Sequence, residues 1–144
     1  MSVVLHGVEK FLAAADAKVA AMRVASRDAT AKALHLIERR AKQKLGQKSH
    51  RPGTPTPANP GEPPALVTGN LRRSITVTGP EAIGPSMWKG QVGPTAVYGR
   101  IQELGGIARG RTLPARPYMR PSFEELKDEI VDLFKTAWTE AVLK

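Results

Sequence analysis

The sequence predicts an α+β fold. Its parts are a long N-terminal helix (or two), a proline-rich loop, a small antiparallel β-sheet and a C-terminal amphipathic helix. Three observations carry this reading. Residues 8–45 contain neither Gly nor Pro and are rich in Ala, the strongest helix former. Residues 74–93 alternate apolar and polar side chains between Gly-Pro pairs. Residues 121–144 open on Pro121-Ser122 and carry an apolar stripe at helical spacing. The 144 residues suit one domain with one modest core, so 1–144 is read as a single domain.

The elements follow in chain order. Val3, Val4 and Leu5 form a short apolar run ahead of Gly7, read as a short strand or arm. Phe11, Leu12, Ala15, Val19 and Met22 then recur at helical spacing, as do Ala29, Ala33, Leu36, Ile37, Ala41 and Leu45. Ser26 and Asp28 can cap a second helix, so a break near 24–28 is the alternative to one continuous helix. Gly46 is a natural stop. Arg39, Arg40, Lys42 and Lys44 fall in the last turns, where cations complement the helix dipole.

Residues 46–66 carry six prolines, which favour extended geometry. This stretch reads either as an arm that orders against a neighbouring subunit or as a linker. Thr68-Gly69-Asn70 opens Leu71-Arg72-Arg73-Ser74-Ile75, and Thr68 can cap a single helical turn. Ile75 and Val77 begin a hairpin, Gly79-Pro80 and Gly84-Pro85 mark turns, and Trp88 and Val92 share a face of the return strand. Ala96 to Leu104 reads as a short helix or turn ended by Gly105-Gly106. Residues 105–117 read as a basic loop. Pro121 sits in the first turn of the last helix, with Glu124 and Glu125 near its positive end. Phe123, Leu126, Ile130, Leu133, Phe134, Trp138 and Val142 make its stripe. The sheet is expected to cover the stripes of both long helices.

Composition excludes several classes. There is no Cys, so disulfides and thiolate metal sites are ruled out, and synthesis in a cytosol fits. No apolar stretch is long enough to span a membrane, and Met1 to Leu12 does not read as a signal peptide. Net charge is +9, unevenly spread. Residues 1–66 hold 11 basic and 5 acidic side chains, residues 67–120 hold 8 and 2, and residues 121–144 hold 3 and 6. A basic body with an acidic tail suits either phosphate contact or self-association of acidic end with basic body.

Catalytic patterns are missing. His6, His35 and His50 stand apart from any metal-binding motif, and no nucleophile elbow or phosphate-binding glycine loop is present. No catalytic, cofactor or metal residue is therefore assigned. Glu124, Glu125, Asp128, Glu129 and Asp132 read as a solvated helix face. Arg72, Arg73, Arg100, Arg109, Arg111, Arg116 and Arg120 are dispersed, and few aromatics accompany them. Backbone contact with DNA is open, but sequence-specific readout is not expected.

Three segments carry a family resemblance. Val67-Thr68-Gly69-Asn70-Leu71-Arg72-Arg73-Ser74-Ile75 is similar to a T/S-G-x-L-R-x-S-I pattern. Tyr98-Gly99-Arg100-Ile101-Gln102-Glu103-Leu104-Gly105 is similar to Y-A-x-x-x-E-F-G, with Gly99 for Ala and Leu104 for Phe. Pro114-Ala115-Arg116-Pro117-Tyr118-Met119-Arg120-Pro121 is similar to P-A-R-P-F-L-R-P-A, with Tyr118 for Phe and the following Ser122 for Ala. In this order they resemble the tail-component family typified by the gene-ten product of the HK-type lambdoid phages. The resemblance implies a structural virion protein, not an enzyme. It would be made in the host cytoplasm and placed at the head–tail junction as a neck or tail-completion ring.

Implied partners are copies of itself, six or twelve in a ring, and neighbouring head-closure, tail-terminator or tail-tube proteins. Genomic DNA in the lumen is a further, non-specific contact; no membrane partner or cofactor is implied. The interface candidates are Arg72, Arg73, Tyr98, Arg100, Glu103, Arg109, Arg111, Arg116 and Arg120. Glu103 can pair with Arg100 or Arg116, and Arg116 and Arg120 suit an intradomain bond as well as an interface. Arg109 and Arg111 are expected to be exposed. A tail terminator ring, another minor tail protein and a non-specific DNA-binding protein are the alternatives.

Overall fold

A computed structural model describes residues 6–144. The Val3-Val4-Leu5 run lies outside the described residues. The architecture is α+β, as the sequence predicts.

The first helix, α1 (Val8–Lys44), is unbroken over 37 residues, about 56 Å at 1.5 Å per residue. The alternative break at 24–28 does not occur. The Ser26 hydroxyl donates to the Met22 carbonyl one turn back instead of capping a new helix, and Arg27 pairs with Asp28 on the surface. Ala29, Ala33, Ile37, Ala41 and Leu45 are buried. They lie every fourth residue along one ridge, so packing continues straight through the region. The N-terminal half differs from expectation. Phe11, Leu12 and Val19 keep helical spacing but remain exposed, Phe11 at 72%.

The proline-rich segment is not a free arm. His50 N–H donates to Leu66 O at 3.0 Å and Leu66 N–H to Lys48 O at 2.7 Å, so its two ends are stitched together. Between them Gly61 N–H donates to Ala115 O, Lys48 pairs with Glu62, and Ala58 is buried. The result is a compact Ω-type loop folded on its own chain. The extended arm expected over 46–66 is thus corrected. The prolines stiffen the loop, and backbone groups of the body hold it.

A one-turn helix, α2 (Asn70–Ser74), follows Gly69 at φ 77°, and the Thr68 hydroxyl accepts the Asn70 N–H at 3.3 Å. Strands β1 (Ile75–Ala82) and β2 (Trp88–Pro94) pair antiparallel, with Ile75 opposite Pro94 and Val77 opposite Val92. The Gly84-Pro85 turn is present between them, but Gly79-Pro80 makes no turn. It forms an irregularity inside β1, where the register shifts between Thr78 and Glu81. Gly79 sits at φ 95°, and a Cβ there would lie 2.8 Å from Lys89 O, so only glycine fits this close approach.

Helix α3 (Gly99–Leu104) is short, as expected. The segment read as a basic loop is instead a second hairpin, β3 (Gly106–Ala108) with β4 (Arg111–Leu113). Its two connecting residues, Arg109 and Gly110, have φ of 51° and 72°. Positive φ at both positions is the type I′ geometry that matches strand twist.

Helix α4 (Met119–Leu143) runs antiparallel to α1. Glu125 meets Arg40 and Lys44, Trp138 Nε1 donates to Ser26, and Lys18 donates to Val142 O. Pro121 is in its first turn. Glu124 and Glu125 lie beyond that turn, so they do not serve as its dipole complement.

Packing centres on α1. The β1–β2 sheet and α4 each lie against α1, with little contact between them, so the sheet does not cover both helical stripes. Gly90 lets the sheet approach: a Cβ there would collide with the Leu34 side chain. The tightest core is small: Ala41, Leu45, Ile75 and Tyr118, flanked by Leu71, Val92 and Met119. The chain exposes 10195 Å², against roughly 7,200 Å² for a compact monomer of its mass.

Candidate functional site

The three motif segments converge where α4 begins. α3 aims the Glu103 carboxylate at the first turn of α4. It accepts the N–H groups of Tyr118 (2.7 Å), Met119 (2.9 Å) and Arg120 (2.9 Å). A helix start leaves such donors unpaired, and a carboxylate there also complements the dipole. Glu103 therefore pairs with neither Arg100 nor Arg116, contrary to the sequence reading. Three aligned N–H groups hold a carboxylate better than one flexible arginine does.

Tyr118 is fully buried, and its hydroxyl donates to Gly99 O at 3.1 Å. Burial, with the Glu103 carboxylate close by, pushes the phenol's pKa well above its ordinary value. It stays neutral and structural. Ser122, also fully buried, donates to Tyr118 O. Gly99 is needed beneath this ring, because a Cβ there would crowd Pro94 at 2.5 Å and the Tyr118 hydroxyl at 3.2 Å.

The arginines divide into two sets. Arg116 is intradomain: Nη1 donates to Ala58 O (2.5 Å) and Asn59 O (2.9 Å), while its backbone N–H donates to Gln102 O (2.7 Å). It clasps the Ω loop to the α3–α4 junction. Arg73 bonds Asn70 Oδ1, and Arg120 pairs with Glu124 on an exposed face. Arg72, Arg100, Arg109 and Arg111 make no ion pair or side-chain hydrogen bond among the described residues. Tyr98 is half exposed.

The structure thus brings Glu103, Arg116 and Arg120 to one junction and leaves Arg109 and Arg111 on the separate β3–β4 hairpin. That hairpin packs appreciably on no other element. Ile107 on it is 75% exposed. The Trp88 indole N–H is buried with no acceptor among the described residues.

One feature was missed from sequence. Between α1 and α4 runs a groove of about 770 Å³ floored by Ala21, Val24, Ala25, Leu133, Ala137 and Ala141. Its signal is the run of alanines at four-residue spacing on both helices, which reads equally as helix propensity. No group of three or more His, Asp or Glu side chains that could hold a metal ion occurs among the described residues. No described helix is long and apolar enough to cross a membrane.

Three carboxylates, all outside this junction, are held below their ordinary value. The Lys44 ammonium, then Arg40, lowers Glu125; Lys42 and then His35 lower Glu38; Lys48 and the Asn59 backbone lower Glu62. Each sits in an ion pair that ties structure together. Comparison with family models, with curated proteins and with solved structures finds no match.

Proposed function

We propose that this chain is a structural virion protein of a tailed bacteriophage. In this reading it is a ring-forming neck or tail-completion subunit that joins the tail to the DNA-filled head. The observation that carries this is the surface. The chain exposes about 3,000 Å² more than a compact monomer of its mass would. The excess includes large apolar side chains: Phe11, Val97, Leu104, Ile107 and Leu143. A ring subunit has two interfaces, and lasting ones cover areas of this order.

The motif geometry supports a role without bond chemistry. Glu103, Tyr118 and Arg116, the polar groups at the heart of the junction, are satisfied by backbone partners of the same chain. What they secure is a rigid junction from which unpaired arginines project. In a ring those arginines face a neighbouring subunit or the phosphates of DNA in the lumen. Tail-terminator and tail-tube proteins would be the adjoining layers.

Negative-stain microscopy of the purified protein, alone and mixed with tails, tests the reading. Rings, or tails capped by the protein, are expected. A monomer that leaves tails uncapped and only retards DNA in a gel makes the chain a non-specific DNA-binding protein instead.

A further inference from the structure

We propose that the β3–β4 hairpin of one copy docks in the α1–α4 groove of the next, and that this head-to-tail contact propagates the ring. The inference rests on the assembly reading above and names the two surfaces it would use.

The hairpin has the character of an unmatched half of an interface. Two-stranded ribbons are marginal in water unless packed on something. This one packs appreciably on no other helix or strand; only Leu113, at its base, is partly buried beside the Ω loop. It carries an exposed isoleucine, Ile107, between strands whose ends bear the unpaired Arg109 and Arg111. Ile107 shares one face of the ribbon with Thr112, Arg111 shares the other with Ala108, and Arg109 stands in the turn; arginine is enriched where proteins meet.

The groove is the complementary half. Its floor is alanine, valine and leucine, open enough to admit side chains from outside. Its rim carries four carboxylates, Asp28, Glu129, Asp132 and Glu140, against two ammonium groups, Lys32 and Lys144. Asp28 pairs with Arg27 and Asp132 lies near Lys135, whereas Glu129 and Glu140 have no cationic partner among the described residues. Two unpaired arginines at the tip of the hairpin thus meet two unpaired glutamates in the groove, opposite in charge and equal in number.

The contact must be intermolecular. Arg116 and Glu103 fix the hairpin's base at the N-terminal end of α4. Ala137, in the groove, lies eighteen residues farther along that helix, about 27 Å away. Surfaces at opposite ends of a subunit make a heterologous contact, which closes into a ring when the rotation allows.

The absence of native cysteine makes a clean test possible. Full-length chains carrying Ile107→Cys or Ala137→Cys are mixed and treated with a short bismaleimide, and oligomers are followed by sedimentation velocity. The expected result is a cross-linked heterodimer from the mixture that neither chain gives alone. Adding Arg109→Glu and Arg111→Glu to the Ile107→Cys chain should cut its yield at least tenfold. Glu129→Arg and Glu140→Arg in the Ala137→Cys chain should restore it. Circular dichroism checks that each variant folds. Rings that form without this cross-link, or a yield indifferent to the charge reversals, overturn the docking and leave the assembly reading standing. A chain that neither self-associates nor cross-links, and that leaves tails uncapped, overturns both.

Discussion

Glu103 accepts three backbone N–H groups at the start of α4, so removing its carboxylate leaves three donors without protein partners. Glu103→Ala is expected to cost about 1–3 kcal/mol, read as a lowered midpoint in urea or heat. Gly90→Ala tests the other close approach. The new methyl meets the Leu34 side chain under the sheet, and overpacking of this kind costs about 1–3 kcal/mol. Glu125, Glu38 and Glu62 have a pH signature. Their folded pKa values lie below the ordinary 4.5, so their ion pairs stabilise fully above that value. The contribution disappears as pH falls through the lowered values. Stability should therefore hold from neutral pH down to about 4.5 and fall below it, as pH passes through the lowered values. In Glu125→Gln, where α4 loses its tie to Lys44 and Arg40, the acid loss should be smaller.

Helices and turns show which elements could be read from sequence and which could not. α1 and α4 were visible because apolar spacing and the absence of breakers are local properties. The continuity of α1 at Ser26 was not. Whether a serine caps forward or bonds one turn back is decided by whether the ridge of Ala29, Ala33 and Ile37 finds a partner. Gly79-Pro80 misled for the same reason, since the pair marks a turn or a bulge with the same two letters. Arg109-Gly110 lacks the Asn-Gly or Asp-Gly pairing that marks a two-residue hairpin turn, and strands of three residues are too short for alternation to show. The role of Arg116 was beyond reach, because its acceptors are the carbonyls of Ala58 and Asn59, and any residue supplies a carbonyl. The hairpin also yields a prediction of its own. Replacing residues 106–113 with a short glycine-rich link should leave the far-ultraviolet helical signal unchanged, because the hairpin packs appreciably on no helix. Oligomers should be lost in sedimentation. A large fall in helicity would mean that the hairpin supports the fold.

The molecule as a whole is a long helix that serves as a common bed, with a small sheet on it and an antiparallel helix beside it. Such a layout leaves much surface uncovered and only a small tight core, and assembly would make good that deficit. The thermal midpoint should accordingly rise with protein concentration, as it does when association stabilises the folded chain. The basic body and acidic α4 give the chain charge polarity, so the proposed association should weaken with added salt. Sedimentation velocity of the intact chain across a range of concentrations is the most direct test. A single closed oligomer of six or twelve copies, seen as rings by negative stain and shrinking to monomer in high salt, is the predicted result. A chain that stays monomeric at every concentration, in low salt and in the presence of tails, would contradict it.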